Sequence, residues 1–146
     1  MPQKVHLEGS LPARFILLCE DDPDDQELLT EVFSSIDNSF ILFFVNNGKE
    51  VLSALEKLKD EHLPCLIVLD YNMPGMNGAE ILREISSNSR YQNIPKIVWS
   101  TSSSAQFRNT CLKLGAKDYI IKPSSHEDLE KIARYMLELC EVTVNS

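Results

Sequence analysis

Residues 66–78, LIVLDYNMPGMNG, constrain the fold more than any other stretch of the chain. Leu66 to Leu69 form an unbroken aliphatic run into Asp70, and Asn72, Pro74, Gly75, Asn77 and Gly78 follow as turn formers. An apolar run of this length, bounded by breakers, reads as a strand buried on both faces. The proline and glycines stop that strand from continuing. Its one carboxylate is therefore delivered to the carboxyl rim of a sheet, where open α/β folds keep their ligand sites.

The rest of the chain repeats the pattern. Phe15 to Cys19 is a second wholly apolar run, ending in Glu20, Asp21 and Asp22. Pro23 suits a first helical turn, and Leu28, Leu29, Val32, Phe33 and Ile36 have the spacing of an amphipathic helix. Phe40 to Val45 is strand-like. Asn46, Asn47 and Gly48 break the chain before a second helix striped by Val51, Leu52, Leu55 and Leu58. Ala79, Ile81, Leu82 and Ile85 mark a third helix, which stops in the polar stretch SSNSRYQN. Ile94 and Pro95 open a fourth strand, Lys96 to Ser100, and the hydroxyls of Thr101 to Ser104 offer N-caps. The helix that follows carries Phe107, Cys111, Leu112 and Leu114 and ends at Gly115. Tyr119 to Ile121 is a short fifth strand leading into Lys122 and Pro123. Ser124 and Glu127 fit a capping box for a last helix with Leu129, Ile132, Ala133, Met136, Leu137 and Cys140 on its apolar face.

Five strand–helix alternations predict an α/β fold of the flavodoxin-like, doubly wound kind. It has a five-stranded parallel sheet in the order 2-1-3-4-5 and five helices. Residues 1–13 read as an N-terminal arm, 14–141 as one domain and 142–146 as a tail. A length of 146 residues agrees with one domain. No apolar run approaches the ~20 residues that span a bilayer, and MPQKVHLEGS lacks an apolar signal core, so a cytoplasmic location is expected. A formal net charge of −8 argues against nucleic acid as a direct partner. Cys19, Cys65, Cys111 and Cys140 stand far apart beside aliphatic residues. Without a Cys-x-x-Cys pair they read as small buried thiols, not as metal or redox groups.

In that strand order the first and third strands are neighbours, and their ends bring Glu20, Asp21 and Asp70 together. One carboxylate pair at 4 Å repels by ~4 kcal/mol at an effective dielectric of 20. A hard divalent cation such as Mg²⁺ would offset this. The alternative is a solvated acidic loop that caps a helix and favours its N-terminal dipole, a role that suits Asp22, Asp24 and Asp25. Ser100 ends the fourth strand and Lys122 follows the fifth, on the same rim. A hydroxyl and an ammonium beside a metal-bound carboxylate make a receptacle for a tetrahedral anion. The chemistry this permits is attack of a carboxylate on a phosphoryl group to give an aspartyl phosphate.

The stretches ILLCEDDPDDQELL, LIVLDYNMPGMNG, IVWSTSSS and GAKDYIIKP resemble, in order and spacing, the receiver domain of two-component response regulators. The resemblance implies that Asp70 is the phosphoacceptor. Glu20 and Asp21 would bind Mg²⁺, Asp21 directly and Glu20 through water, and Asn72 would lend its backbone carbonyl. Ser100 matches the hydroxyl that bonds a phosphoryl oxygen in the active state. Lys122 matches the family's lysine, followed by Pro123, whose peptide bond is typically cis. Tyr119 matches the switch aromatic that turns inward. The implied partners are a histidine kinase or histidine phosphotransfer protein, and a downstream protein met by the face of helix 4, strand 5 and helix 5. A homodimer through helices 4 and 5 is a further expectation. Neither nucleic acid nor membrane is an expected partner.

The departures are a Glu-Asp pair in place of Asp-Asp, Ser where Thr is also common, and Trp99 where an aliphatic residue is usual. EDDPDD and DYNMPGMNG resemble a subgroup of stand-alone receivers, some serving phytochrome-type histidine kinases. Since nothing follows Ser146, no attached output domain is expected.

Three other functions compete. A phosphatase with an aspartyl nucleophile needs a second acid two positions on, where Asn72 stands, so an enzyme with a separate substrate is not expected. A flavodoxin-type ligand binder needs a Ser/Thr/Gly-rich phosphate loop after the first strand, where this chain has EDDPDD. A receiver-like interaction module that takes no phosphate is the third. Against it stands the presence of every required side chain.

Overall fold

A computed structural model describes residues 14–145; the arm expected over residues 1–13 lies outside the described residues. Each apolar run becomes a strand whose alternate side chains are buried on opposite faces. The strands β1 (Phe15–Cys19), β2 (Ile41–Val45), β3 (Leu66–Asp70), β4 (Lys96–Ser100) and β5 (Asp118–Ile121) are parallel and lie in the order β2-β1-β3-β4-β5. The connecting helices are α1 (Pro23–Ile36), α2 (Gly48–Lys57), α3 (Gly78–Ser86), α4 (Ala105–Lys113) and α5 (His126–Asn145). The predicted strand order and helix number are those observed.

The two-residue period of the strands divides the core. Phe15, Leu17, Ile67, Leu69 and Val98 pack with Val51, Leu55, Ile81, Leu82 and Ile85 of α2 and α3. Ile16, Leu18, Leu66, Val68, Ile97 and Trp99 face the other way, against Leu29, Val32 and Phe33 of α1 and Leu129, Ala133 and Met136 of α5. Fully burying one such side chain contributes about 1.5–3 kcal/mol, and the parallel sheet needs both faces covered. The same parity places Glu20, after Leu18, and Asp70, after Val68, on the α1/α5 side. Trp99 is the register partner of Asp70.

Local chemistry sets the helix starts. The Asp22 side chain accepts from the Asp24 N–H ahead of Pro23. Asn47 caps α2, Asn77 and Glu80 form a reciprocal capping box on α3, and Ser104 caps α4. In the loop after β3, the Gly78 N–H donates to the Tyr71 carbonyl at 2.8 Å. A Cβ on Gly78 would lie 2.8 Å from the Tyr71 Cα, so only glycine lets the chain fold back this tightly behind Asp70.

Several expectations need correction. The last helix starts one residue later than the Ser124–Glu127 box implies: Ser125 Oγ accepts from the Asp128 N–H at 3.1 Å. That helix runs on to Asn145, so backbone read as a tail continues α5. The polar stretch after α3 includes a short 3₁₀ turn, Ser89–Tyr91, that buries Tyr91. No peptide bond among the described residues is cis. Lys122–Pro123 therefore has the trans isomer, which an X–Pro amide still favours by about 0.5–1 kcal/mol. Finally, the reading of four buried thiols holds only for Cys19 and Cys111. Cys65 and Cys140 form a disulfide, their Cα atoms 4.8 Å apart. The last turns of α5 cross the start of β3 there, a proximity that a separation of 75 residues hides. No described helix is long and apolar enough to cross a membrane.

Candidate functional site

β1 and β3 end side by side, because Cys19 pairs with Leu69. The next residue of each strand therefore meets at the rim. Glu20, Asp21 and Asp70 each offer a carboxylate oxygen, and these oxygens lie within 4.8 Å of one another. Glu20 is 1% exposed and Asp70 5%, whereas Asp21 faces solvent. Lys122, just past β5, reaches back over β4. Its Nζ donates to Asp70 Oδ2 at 2.7 Å and to Glu20 Oε1 at 3.1 Å, with Asp25 Oδ2 at 3.5 Å. Asp70 Oδ1 accepts from the Asn72 N–H at 3.0 Å. One oxygen of Asp70 is thus oriented by a distant lysine and the other by the backbone two residues on.

The surroundings of Glu20 explain its electrostatics. Burial pushes its carboxyl up to about 7 and the nearby Asp70 charge adds to this, against hydrogen bonds from the Asp22 N–H and Lys122. Burial also works against the Lys122 charge, but the hydrogen bond and attraction to Asp70, then those to Glu20, outweigh it. The ammonium is held above the usual lysine range. Cys19 is pushed up to about 12 by burial and then by the same carboxylates, which makes it an unreactive thiol.

A cluster with more carboxylates than ammonium groups, all hard oxygen donors, fits Mg²⁺ or a similar divalent cation. Glu20 supports the fit, since a buried carboxylate with a raised pKa lacks full compensation for its charge.

Ser100 and Tyr119 form a second group beside this one. Ser100 is fully buried, and its Oγ accepts from the Ser102 N–H at 3.0 Å. Tyr119, 4% exposed, donates its hydroxyl to the Ser102 carbonyl at 2.8 Å. The aromatic expected to turn inward is therefore already inside, and both residues hold the same turn of the β4–α4 loop. Arg108 of α4 donates to the Tyr119 carbonyl at 3.1 Å, and the Tyr71 and Phe107 rings stack with centroids 4.5 Å apart. The residue after Asp70 thus touches α4.

Two contributors escape a reading by motif. Asp25, expected at the helix cap, approaches Lys122, and Gln26 donates its side-chain amide to the Glu20 carbonyl at 2.6 Å. No local spacing signals the Asp25 contact, because it depends on how α1 seats against the sheet. Asp22 does act as the predicted cap.

Comparison with known proteins agrees with this geometry. Residues 16–134 match the response regulator receiver domain family. The two-component response regulator ORR5 of Oryza sativa subsp. japonica is 30% identical over 125 residues, covering 86% of this chain and 90% of that protein. The crystal structure of the phosphorylated cyanobacterial phytochrome response regulator RcpA superposes with a TM-score of 0.78 at 28% identity, covering 89% of this chain and 95% of that one. The Mn²⁺-bound form of response regulator Rcp1 gives 0.73 at 29% identity, covering 84% and 90%.

Proposed function

This chain belongs to the response regulator receiver domain family, and from that premise we propose that it carries a phosphoryl signal on Asp70. The donor is a histidine kinase or histidine phosphotransfer protein, and the product is a changed protein-binding face. One observation carries this reading. The acidic end of β1, the ammonium of Lys122 and the Asn72 N–H all gather at the Asp70 carboxylate.

In the transfer, a carboxylate oxygen of Asp70 forms a bond to phosphorus. The bond from phosphorus to the donor imidazole breaks, and its electron pair stays on nitrogen. Lys122 holds positive charge where negative charge gathers on the phosphoryl oxygens, and the Asn72 N–H fixes the orientation of the acceptor carboxylate. Glu20, Asp21 and Asp70 would hold Mg²⁺, with the Asn72 carbonyl as a further oxygen. When bound, the cation supplies charge neutralisation. The Mn²⁺ of Rcp1 and the phosphorylated state of RcpA, both similar chains, support these two assignments.

The switch follows from the second group. To bond a phosphoryl oxygen, Ser100 donates its hydroxyl proton while its Oγ still accepts from the Ser102 N–H, so turning Ser100 toward the phosphate pulls on a residue whose carbonyl Tyr119 grips. Moving Ser100 therefore disturbs the β4–α4 loop and the face formed by α4, β5 and α5, a two-state element biased by one local charge event. The similarity to RcpA, a phytochrome response regulator, favours a phytochrome-type kinase as donor.

The test is incubation of the full chain with acetyl phosphate and Mg²⁺, followed by intact mass measurement. One phosphoryl increment per chain is expected, absent in Asp70→Asn. An increment at this site in Asp70→Asn would overturn the reading. Turnover of a generic phosphoester in excess over protein would favour the phosphatase instead.

A further inference from the structure

We infer that Trp99 is a positioning residue for Lys122, its indole face holding the ammonium in place beside Asp70. This rests on the reading of Asp70 as phosphoacceptor. Lys122 Nζ lies 4.9 Å from the centroid of the Trp99 ring, inside the ~6 Å range of a cation–π contact. Trp99 pairs in register with Asp70 on one side and with Ile120 on the other. It therefore sits in β4 between the acceptor and the strand that leads to the lysine.

A second observation says that the ring is present for more than packing. Trp99 is 3% exposed, and its Nε1–H is buried without a hydrogen-bond partner. Buried indoles usually find an acceptor, and an unpartnered buried donor costs stability. An aliphatic side chain would fill the same core without that cost. What the indole adds is an electron-rich face under the cation.

The benefit lies in constancy. Two of the three carboxylates around Nζ, Asp70 and Glu20, belong to the reacting group and its cation-binding neighbour, so their pull on Lys122 changes during transfer. The attraction of the ring does not. Trp99 keeps Nζ within reach of Asp70 as the charges around it are redistributed. Loss of the contact lowers the fraction of chains with Nζ in place, and with it the labelling rate, by up to about 2- to 30-fold.

Trp99 is the sole tryptophan, so biosynthetic incorporation of mono-, di- and trifluorinated tryptophan alters this one ring. Fluorine drains the ring face and leaves its shape almost unchanged. The rate of Asp70 labelling by acetyl phosphate and Mg²⁺ is expected to fall stepwise with fluorine number while every variant stays folded at the assay temperature. Trp99→Phe should fall between the wild type and Trp99→Leu. Equal rates across the fluorinated series overturn the inference, as does a fall in stability without a graded rate. If Trp99→Leu does not fold, the fluorinated series decides alone. A labelled wild type with a flat series removes only the role of Trp99, whereas an unlabelled wild type removes the phosphoacceptor reading as well.

Discussion

Lys122 Nζ and Asp70 Oδ2 lie 2.7 Å apart across a sequence separation of 52 residues. The pair is mostly buried, with side chains 16% and 7% exposed. Two further carboxylates approach the same ammonium. Lys122 is therefore the chief compensation for negative charge that the fold gathers at one end of its sheet.

Replacing Lys122 by Met leaves that charge uncompensated. Breaking a buried pair by removing one partner costs roughly 3–5 kcal/mol, and a loss of this order is expected in metal-free buffer. Millimolar MgCl₂ should restore part of it, because a ligand that binds only the folded state stabilises by mass action. Urea unfolding with and without MgCl₂ measures both effects. Midpoints that do not move in MgCl₂ would remove the divalent site.

Gly78→Ala places a methyl 2.8 Å from the Tyr71 Cα. The neighbour is backbone and cannot swing aside, so overpacking of about 1–3 kcal/mol is expected. The shifted turn would also disturb the Asn72 N–H on Asp70, lowering both the thermal midpoint and the labelling rate. Unchanged values for both would show that the loop tolerates a wider path.

Lys96 gives a pH dependence far from the site. It is 4% exposed, donates to the Tyr91 carbonyl at 2.6 Å, and burial holds it below the ordinary lysine value of 10.5. Between its folded and unfolded pKa values the unfolded chain binds more protons, so stability rises with pH across that alkaline window. Denaturant midpoints should climb as pH approaches 10.5, and Lys96→Met should remove that rise. An equal slope in the two proteins would contradict the assignment.

The Cys65–Cys140 disulfide predicts that unfolded, unreduced protein releases two titratable thiols, those of Cys19 and Cys111. All four appear after reduction. Dithiothreitol should lower stability by about 2–4 kcal/mol. Four thiols before reduction would show that the bridge is absent.

Much of the site was legible because its parts end strands. Glu20, Asp70, Ser100 and Lys122 each follow or end an apolar run, and a parallel sheet aligns such ends on one rim. Asp22 and Ser104 were legible as caps through their short side chains at helix starts. Asp25 was not, because its position before Lys122 depends on how α1 is turned against the sheet. Nor was the inward Tyr119, whose hydroxyl has its acceptor in Ser102, seventeen residues away.

The residues by themselves determined the strands, helices, their order and the rim on which the carboxylates collect, since periodicity and turn chemistry act within short windows of chain. Only the tertiary structure decided that Lys122 bridges Asp70, Glu20 and Asp25, that Trp99 lies under that ammonium, and that Cys65 meets Cys140. These contacts join segments far apart in sequence. They depend on side-chain direction and on how helices seat against the sheet, which no local pattern encodes.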